Sequence, residues 1–175
     1  SLEQIKAIRA ATTCELESFV HGALCVSYSG QCYLSCHLTG RSANRGSCIQ
    51  ACRSNYDLVD ATGKVLLKEK PILSLKDFSL EHYIPQLVEA GISSFKIEGR
   101  LKNESDVRNV TRHYRNIIDK LGYTKSSFGS IEGGFTPNID QTFSRGYTTY
   151  FLTGERGQWN SGESAKATGE HIGKV

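Results

Sequence analysis

The sequence has no methionine, one tryptophan and three prolines among its 175 residues. Because translation starts at methionine, we expect the chain to be a fragment or a processed product. No apolar run approaches the roughly 20 residues that span a bilayer, which excludes a membrane-spanning helix. A formal net charge of +3 is too small to indicate nucleic-acid binding by itself. The hydrophobic share of 38% and the charged share of 22% are those of a globular chain that can bury a core without disulfides.

Cysteine, by contrast, is abundant in one segment. Five of the six cysteines fall within the 28 positions of residues 25–52. Two pairs, each with three residues between its members, would suit tetrahedral zinc: Cys32 with Cys36, and Cys48 with Cys52. A second set replaces Cys36 by Cys25, and four thiolates serve zinc or an iron–sulfur cluster equally well. A disulfide framework and free thiols also fit, so spacing alone leaves the chemistry open.

Strand and helix patterns alternate along the chain. The predicted elements are a helix at 1–12 with a Ser1/Gln4 capping box, a strand at 15–20, a β-hairpin turning at 61–63, an apolar strand-like run at 71–75, a helix at 80–90, a second apolar run at 92–98 and a helix at 103–121. This alternation is typical of a parallel sheet covered by helices. About three such units are present, whereas a closed eight-unit barrel takes roughly 250 residues. We therefore expect an α/β fold.

The expected architecture has two parts. Residues 1–124 would form about half of a TIM-like (β/α) barrel with a β-hairpin insertion, and residues 125–175 an irregular, Gly/Ser-rich and aromatic extension. Functional residues of such folds lie at the carboxyl ends of the strands. His21 and the KIEGR run, with Lys96, Glu98 and Arg100, occupy these ends and are our candidate catalytic residues. A hydrogen-bonded structural role explains His21 equally well.

Several segments together carry a family resemblance. A long signature has glycine, cysteine and leucine at the positions where they occur in ESFVHGALCVSYSGQCYLS, which starts at Glu17. The match continues through TGRSANRGSCIQACRSNY, KIEGR and QTFSRGYTTYFLTGE. On these motifs the chain resembles peptidase family U32 over essentially its whole length. The resemblance implies that this is the C-terminal half of an incomplete barrel, with earlier β/α units upstream and a further small β domain downstream. Because half a barrel leaves open sheet edges, the fragment should self-associate.

The resemblance also implies a function. Relatives are oxygen-independent or prephenate-dependent hydroxylases of a wobble uridine in transfer RNA, of a ribosomal RNA cytidine or of a ubiquinone precursor. They hold a 4Fe–4S cluster through four cysteines, which match Cys25, Cys32, Cys48 and Cys52 here. Cys36 stands where relatives more often have serine or another small residue, and this departure keeps the zinc pairing open. The resemblance thus implies a cytoplasmic RNA hydroxylase, and the isolated fragment is expected to be inactive.

Three arginines surround Ser47 and the glycines of the cysteine segment: Arg41, Arg45 and Arg53. Their guanidinium groups could hold phosphate, or the carboxylates of a prephenate-like cosubstrate, by bidentate hydrogen bonds. Pairing with Glu17 or Glu98 is the alternative. We predict that these arginines bind substrate.

Two other functions remain open. A collagenase-like peptidase is what the family's name indicates, yet the sequence has no G-x-S-x-G or H-E-x-x-H motif. A Cys25 nucleophile with His21 as its base would need a geometry that such close positions at a strand end rarely supply. A zinc- or disulfide-stabilised binding domain is the second alternative.

Overall fold

The computed structural model of the chain describes residues 1–100, 102–123, 134–154, 157–162, 164–165, 167 and 173. The helices of this part are α1 (Leu2–Ala11), α2 (Leu34–Thr39), α3 (Ile84–Glu89) and α4 (Glu104–Lys120), and its strands are β1 (Glu17–Gly22), β2 (Tyr56–Val59), β3 (Val65–Lys70), β4 (Asp77–Ser79), β5 (Ser94–Ile97) and β6 (Tyr147–Thr148). None of the helices in the described residues has the length and apolar character needed to cross a membrane.

Four strands form one mixed sheet in the order β5-β1-β4-β6. β5 is parallel to β1, and β6 is parallel to β4, but β4 is antiparallel to β1, with His21 opposite Ser79. The α/β class is therefore confirmed. The expectation that residues 15–121 form only parallel units is wrong at β4, and closure into a barrel remains a prediction. Between β1 and β4 the chain forms α2, three 3-10 turns and the β2–β3 hairpin, and it returns to the sheet in the opposite direction.

Local sequence signals account for the elements that were predicted well. Ser1 and Gln4 form the expected capping box of α1, and the Asn103 side chain accepts a hydrogen bond of 2.7 Å from the Asp106 amide at the start of α4. The hairpin β2–β3 forms around a turn in which Asp60 Oδ1 accepts hydrogen bonds from the amides of Thr62 and Lys64. The apolar run at 71–75 is a turn rather than a strand, because the Ser74 amide donates to the Pro71 carbonyl.

The core lies between one face of the sheet and the helices α3 and α4. Its buried members are Val20, Leu80, Ile84, Leu87, Ile92, Val110, Tyr114, Ile139 and Leu152. The last two belong to the region expected to be irregular, and its described part also supplies β6 to the sheet. The amide of Leu2 donates to the carbonyl of Leu152 at 2.9 Å, which attaches α1 to this region. The described part of the C-terminal region thus contributes Ile139, Leu152 and β6 to the packing around the sheet.

Candidate functional site

The cysteine segment begins where β1 ends, as the sequence predicts. It is built from α2 and from short 3-10 turns at Tyr28–Gly30, Ala43–Arg45 and Ala51–Arg53. Gly40 and Gly46 end two of these elements in the left-handed conformation, with φ of 73° and 83°, which glycine adopts without steric cost. All six cysteines are free thiols. The segment is therefore held by hydrogen bonds and packing.

Three other thiols lie within electrostatic reach of Cys52. Burial is the main reason that the pKa of Cys52 is raised, and the charges of Cys25, Cys48 and Cys32 raise it further, against the opposing charge of Arg53. Cys36 lies exposed on α2. Across the described residues, no three His, Cys, Asp or Glu side chains are close enough to hold one metal ion as they stand.

Hydrogen bonds connect the two halves of the cysteine segment. The Cys32 amide donates to Asn44 Oδ1 at 2.8 Å. The amide of Ile49, next to Cys48, donates to the Ser35 hydroxyl at 3.3 Å, and that serine is only 1% exposed. Because each bond joins parts of the segment that are at least 12 residues apart, the bonds restrict where Cys32 and Cys48 can lie.

The three predicted arginines have different environments. Arg41 and Arg45 are exposed. Arg53 is half-buried, and its guanidinium donates to the carbonyls of Leu24 and Leu75 and to the Ser74 hydroxyl. Burial lowers the pKa of Arg53, as does the neighbouring charge of Arg145. The structure thus places Arg53 inside the protein and leaves the other two at its surface.

His21 lies next to a β-bulge near the end of β1. Phe19 is opposite Lys96 on β5, but His21 is opposite Ile97, so Val20 is the extra residue, and bulges of this kind re-aim side chains beside functional sites. The His21 ring is buried, with the ring centroids of Tyr114 and Tyr147 each 5.5 Å away. Burial, and then the charges of Lys102 and His113, lower the pKa of His21 to about 4. The imidazole is therefore neutral near pH 7.

A cavity opens beside His21 at the carboxyl ends of β1 and β5. Its volume of about 20 Å³ is enough for one water molecule. His21, Glu98, Asp77, Lys102 and Phe143 are among the residues that line it. Of the three KIEGR candidates, only Glu98 is part of this wall. Both of the others are exposed: Lys96 lies within β5, and Arg100 approaches the Gly46 carbonyl at 3.4 Å.

The sequence analysis missed the charged groups that flank this cavity. Arg145 forms a buried ion pair with Asp77, at 3.1 Å between Nη1 and Oδ1. Lys102 donates to the Phe143 carbonyl at 3.1 Å, and its ammonium lies 4.0 Å above the centre of the Phe143 ring. Burial lowers the pKa of Lys102. The one available signal was the SRGY stretch that contains Arg145, because it lies within a motif of the resemblance.

Comparisons with known proteins agree with the motifs. The family described as peptidase family U32 matches residues 1–161. The chain is 46% identical to the 23S rRNA 5-hydroxycytidine C2501 synthase of Escherichia coli (strain K12), in an alignment that covers 100% of this chain and 28% of that protein. It is 39% identical to tRNA hydroxylation protein P1 of Bacillus subtilis (strain 168), with 94% of this chain and 41% of that protein covered.

A relative with a different printed name is also similar. The chain is 35% identical to a collagenase of Porphyromonas gingivalis, over 91% of this chain and 45% of that protein. The chain thus spans less than half the length of each of these curated relatives. No solved structure is significantly similar to it. Because the family match covers most of the chain and includes the cysteine segment, the chain belongs to peptidase family U32.

Proposed function

We propose that the full-length protein is an iron–sulfur RNA hydroxylase that modifies a base of transfer or ribosomal RNA in the cytoplasm, and that this chain is the C-terminal half of its incomplete (β/α) barrel. One observation carries the proposal. The cysteine segment, which lies within the residues that match the family and a relative named for rRNA hydroxylation, starts three residues after β1, and Gly22 at the end of β1 lines the cavity. A redox group and a substrate would therefore be neighbours.

The proposed ligands of a 4Fe–4S cluster are Cys25, Cys32, Cys48 and Cys52. All four are free thiols, and the influence of the other three charges on Cys52 supports their proximity. Around a single zinc ion, bonds of about 2.3 Å bring the sulfurs within about 4 Å of one another. A cage of irons and sulfides separates its ligands more widely. When bound, the cluster would supply one-electron chemistry that no side chain provides.

The neighbouring side chains would bind and orient the reactants. Arg41 and Arg45 are free to reach RNA phosphates or the carboxylates of a prephenate-like cosubstrate, because both are exposed. His21 would act as a neutral hydrogen-bonding group rather than as a cation, because its pKa is about 4. Glu98 and Lys102 would hold opposite charges at the cavity wall. Lys96 and Arg100, both exposed beyond this wall, would contact RNA outside it.

A peptidase is the second candidate, and the collagenase name of a relative favours it. Nucleophilic catalysis would require the Cys25 thiol within hydrogen-bond reach of an imidazole. Instead, Cys25 Sγ lies 2.8 Å from the Ser27 hydroxyl, and the His21 ring is buried beside Tyr114 and Tyr147. This arrangement supports the hydroxylase over a cysteine peptidase.

The test is anaerobic reconstitution of the full-length protein with iron and sulfide. We expect about four irons and four sulfides per protein and a broad absorbance at about 400 nm. RNA from cells that lack the gene, incubated with this protein and with prephenate as the co-reactant that would supply the hydroxyl oxygen, should then gain a hydroxylated pyrimidine, detected by mass spectrometry of its nucleosides. Cys14→Ser, which changes an exposed thiol outside the cysteine segment, is the matched control and should behave like the wild type. Stoichiometric zinc without iron, or cleavage of gelatin without RNA modification, would overturn the proposal.

A further inference from the structure

The guanidinium of Arg53 joins three parts of the chain that meet beside the cysteines. Its Nη1 donates to the Ser74 hydroxyl at 3.1 Å and to the Leu75 carbonyl at 2.5 Å. Its Nη2 donates to the Leu24 carbonyl at 2.7 Å. Leu24 directly precedes Cys25, and Arg53 directly follows Cys52. One side chain therefore links the residues next to two of the four proposed ligands.

The hydrogen bonds to Ser74 and Leu75 connect the residues next to Cys25 and Cys52 to the segment before β4. Ser74 is fully buried and Leu75 is 8% exposed, and both lie just before β4. Their backbone is itself paired, because the Ser74 carbonyl accepts from the Ser161 amide at 2.9 Å. The Ser74 and Leu75 acceptors therefore lie outside the cysteine segment, and the backbone of Ser74 is held by its pairing with Ser161. A movement of Cys25 relative to Cys52 would break at least one of the three hydrogen bonds.

Arginine is the side chain that suits this position. Its planar group carries five N–H donors in a rigid fork, so that it can bond to acceptors on separate segments at once. A lysine keeps the charge but concentrates its donors at one atom on a flexible stem. The carbonyls of Leu24 and Leu75 would also lose their partner, and buried carbonyls without partners are costly.

We propose that Arg53 is a positioning residue that holds Cys25 and Cys52 at the spacing required for cluster binding, and that it does not bind substrate. The inference rests on the proposed function for the identity of the bound group. Three of the five donors of Arg53 are already committed to the protein. The substrate-binding role predicted from the sequence then remains with Arg41 and Arg45.

The experiment compares Arg53→Lys with Arg41→Lys in the full-length protein. Both changes keep the charge, but Arg41 is exposed on the same segment and serves as the matched control. The first measurement uses metal-free protein in chelator and follows the alkylation of each cysteine by iodoacetamide with mass spectrometry. We expect Cys52 to react about fivefold faster in Arg53→Lys, as the loss of about one net hydrogen bond predicts, with Cys14 unchanged. Arg41→Lys should leave both rates at the wild-type value.

The second measurement uses reconstituted protein. In excess chelator, the absorbance at about 400 nm should decay several-fold faster in Arg53→Lys than in the wild type or Arg41→Lys. Unchanged alkylation together with unchanged decay in Arg53→Lys overturns the inference. If the wild type takes up no iron, the proposed function fails, and the alkylation rates alone decide whether Arg53 positions the thiols.

A milder change covers the case in which Arg53→Lys does not fold. Ser74→Ala removes one acceptor of Arg53 and leaves the Leu24 and Leu75 carbonyls in place. We expect an increase of about twofold in the alkylation rate of Cys52, since one of three bonds is lost. Far-UV circular dichroism checks that the variant is folded. A folded Ser74→Ala protein with the wild-type rate at Cys52 overturns the inference.

Discussion

Asp77 and Arg145 form an ion pair inside the protein, with the two side chains 3% and 7% exposed. The Arg145 amide also donates to Asp77 Oδ2 at 2.8 Å, so both oxygens of the carboxylate are satisfied by one residue. The pair joins the start of β4 to the segment before β6. Arg53 and Lys102 lie close enough for their pKa values to respond to both members. The ion pair thus holds Asp77, which lines the cavity, against the segment before β6.

Removal of one charge from this pair should be costly. Asp77→Asn leaves the Arg145 guanidinium buried without its counter-charge, and breaking a buried pair in this way costs about 3–5 kcal/mol of unfolding free energy. Denaturant unfolding of the full-length protein measures the loss. Asp119→Asn is the control, because its pair with Arg115 lies within one helix and is partly exposed, and it should cost less than about 1 kcal/mol. Equal losses in the two variants would contradict the role of the buried pair.

The buried imidazole of His21 predicts a pH dependence of stability. Its pKa is about 4 in the folded protein and 6.5 without burial, so the unfolded chain binds a proton more readily between these values. The contribution of neutral His21 to the unfolding free energy is fully present above about pH 6.5, declines as the pH falls, and is lost below about pH 4. Between pH 7 and pH 4.5 the wild type should lose about 2–3 kcal/mol from this group alone.

A variant without the imidazole isolates that contribution. Between pH 7 and pH 4.5, the unfolding free energy of His21→Gln should fall by about 2–3 kcal/mol less than that of the wild type. His82→Gln, in which an exposed histidine is replaced, should keep the wild-type dependence on pH. If His21→Gln also keeps the wild-type dependence, then the His21 ring is not held neutral by burial.

Local signals made part of the fold predictable. The Asp60 turn of the hairpin and the Asn103 cap of α4 depend on residues within four positions of each other, so the sequence contains the whole interaction. The direction of β4 depends instead on where the chain returns to the sheet. The apolar run at 71–75 resembles a strand in sequence, because a buried turn and a buried strand can both consist of consecutive apolar residues.

The candidate site was predictable to a similar extent. The rule for strand ends located His21 and Glu98 correctly at the cavity, but it also selected Lys96, which is exposed. No local sequence pattern indicates the role of Arg145, because its partner Asp77 lies 68 residues away. By spacing alone the pairs Cys32/Cys36 and Cys48/Cys52 are the neatest cysteine set, and the set that contains Cys25 is the alternative. Only the contact of Arg53 with the Leu24 carbonyl, beside Cys25, bears on the choice between them, and no spacing rule includes it.

Gly22 is expected to be essential at the end of β1. Its φ of +144° disfavours other residues, and a Cβ atom there would lie 2.7 Å from the Glu98 Cβ and 3.0 Å from the Phe19 ring. Gly22→Ala should lower the unfolding free energy by about 2–4 kcal/mol, from backbone strain and overpacking together. Gly63→Ala, at φ +84° in the hairpin turn with no atom within 4 Å, should cost only about 1 kcal/mol, the backbone cost alone. Similar losses in the two variants would show that Gly22 makes no close approach to Glu98.

The two cysteine sets differ by a single exchange, and this gives the sharpest test of the metal site. Cys32, Cys48 and Cys52 belong to both sets, so only Cys25 and Cys36 discriminate between a cluster and zinc. In the full-length protein we expect Cys25→Ser to abolish the absorbance at about 400 nm and Cys36→Ser to preserve it. Three thiolates leave one iron without its anionic ligand, and a serine hydroxyl is far less acidic than a thiol and seldom replaces it.

The structure supports this expectation, because the charge of Cys25 raises the pKa of Cys52 and the Leu24 carbonyl beside Cys25 accepts a hydrogen bond from the Arg53 guanidinium. Cys36 is exposed, as Cys25 is, and it lies on α2. Serine at position 36 therefore changes one exposed atom on a helix that ends in its own glycine cap, and α2 should remain folded. Iron and zinc are measured in both variants alongside the spectrum. Colour that survives Cys25→Ser and disappears in Cys36→Ser would assign the ligands to the zinc-type pairs and reject the family-based set. Wild-type protein that returns one zinc and no iron would reject the cluster, and the hydroxylase proposal with it, because the chain would then lack its source of one-electron chemistry.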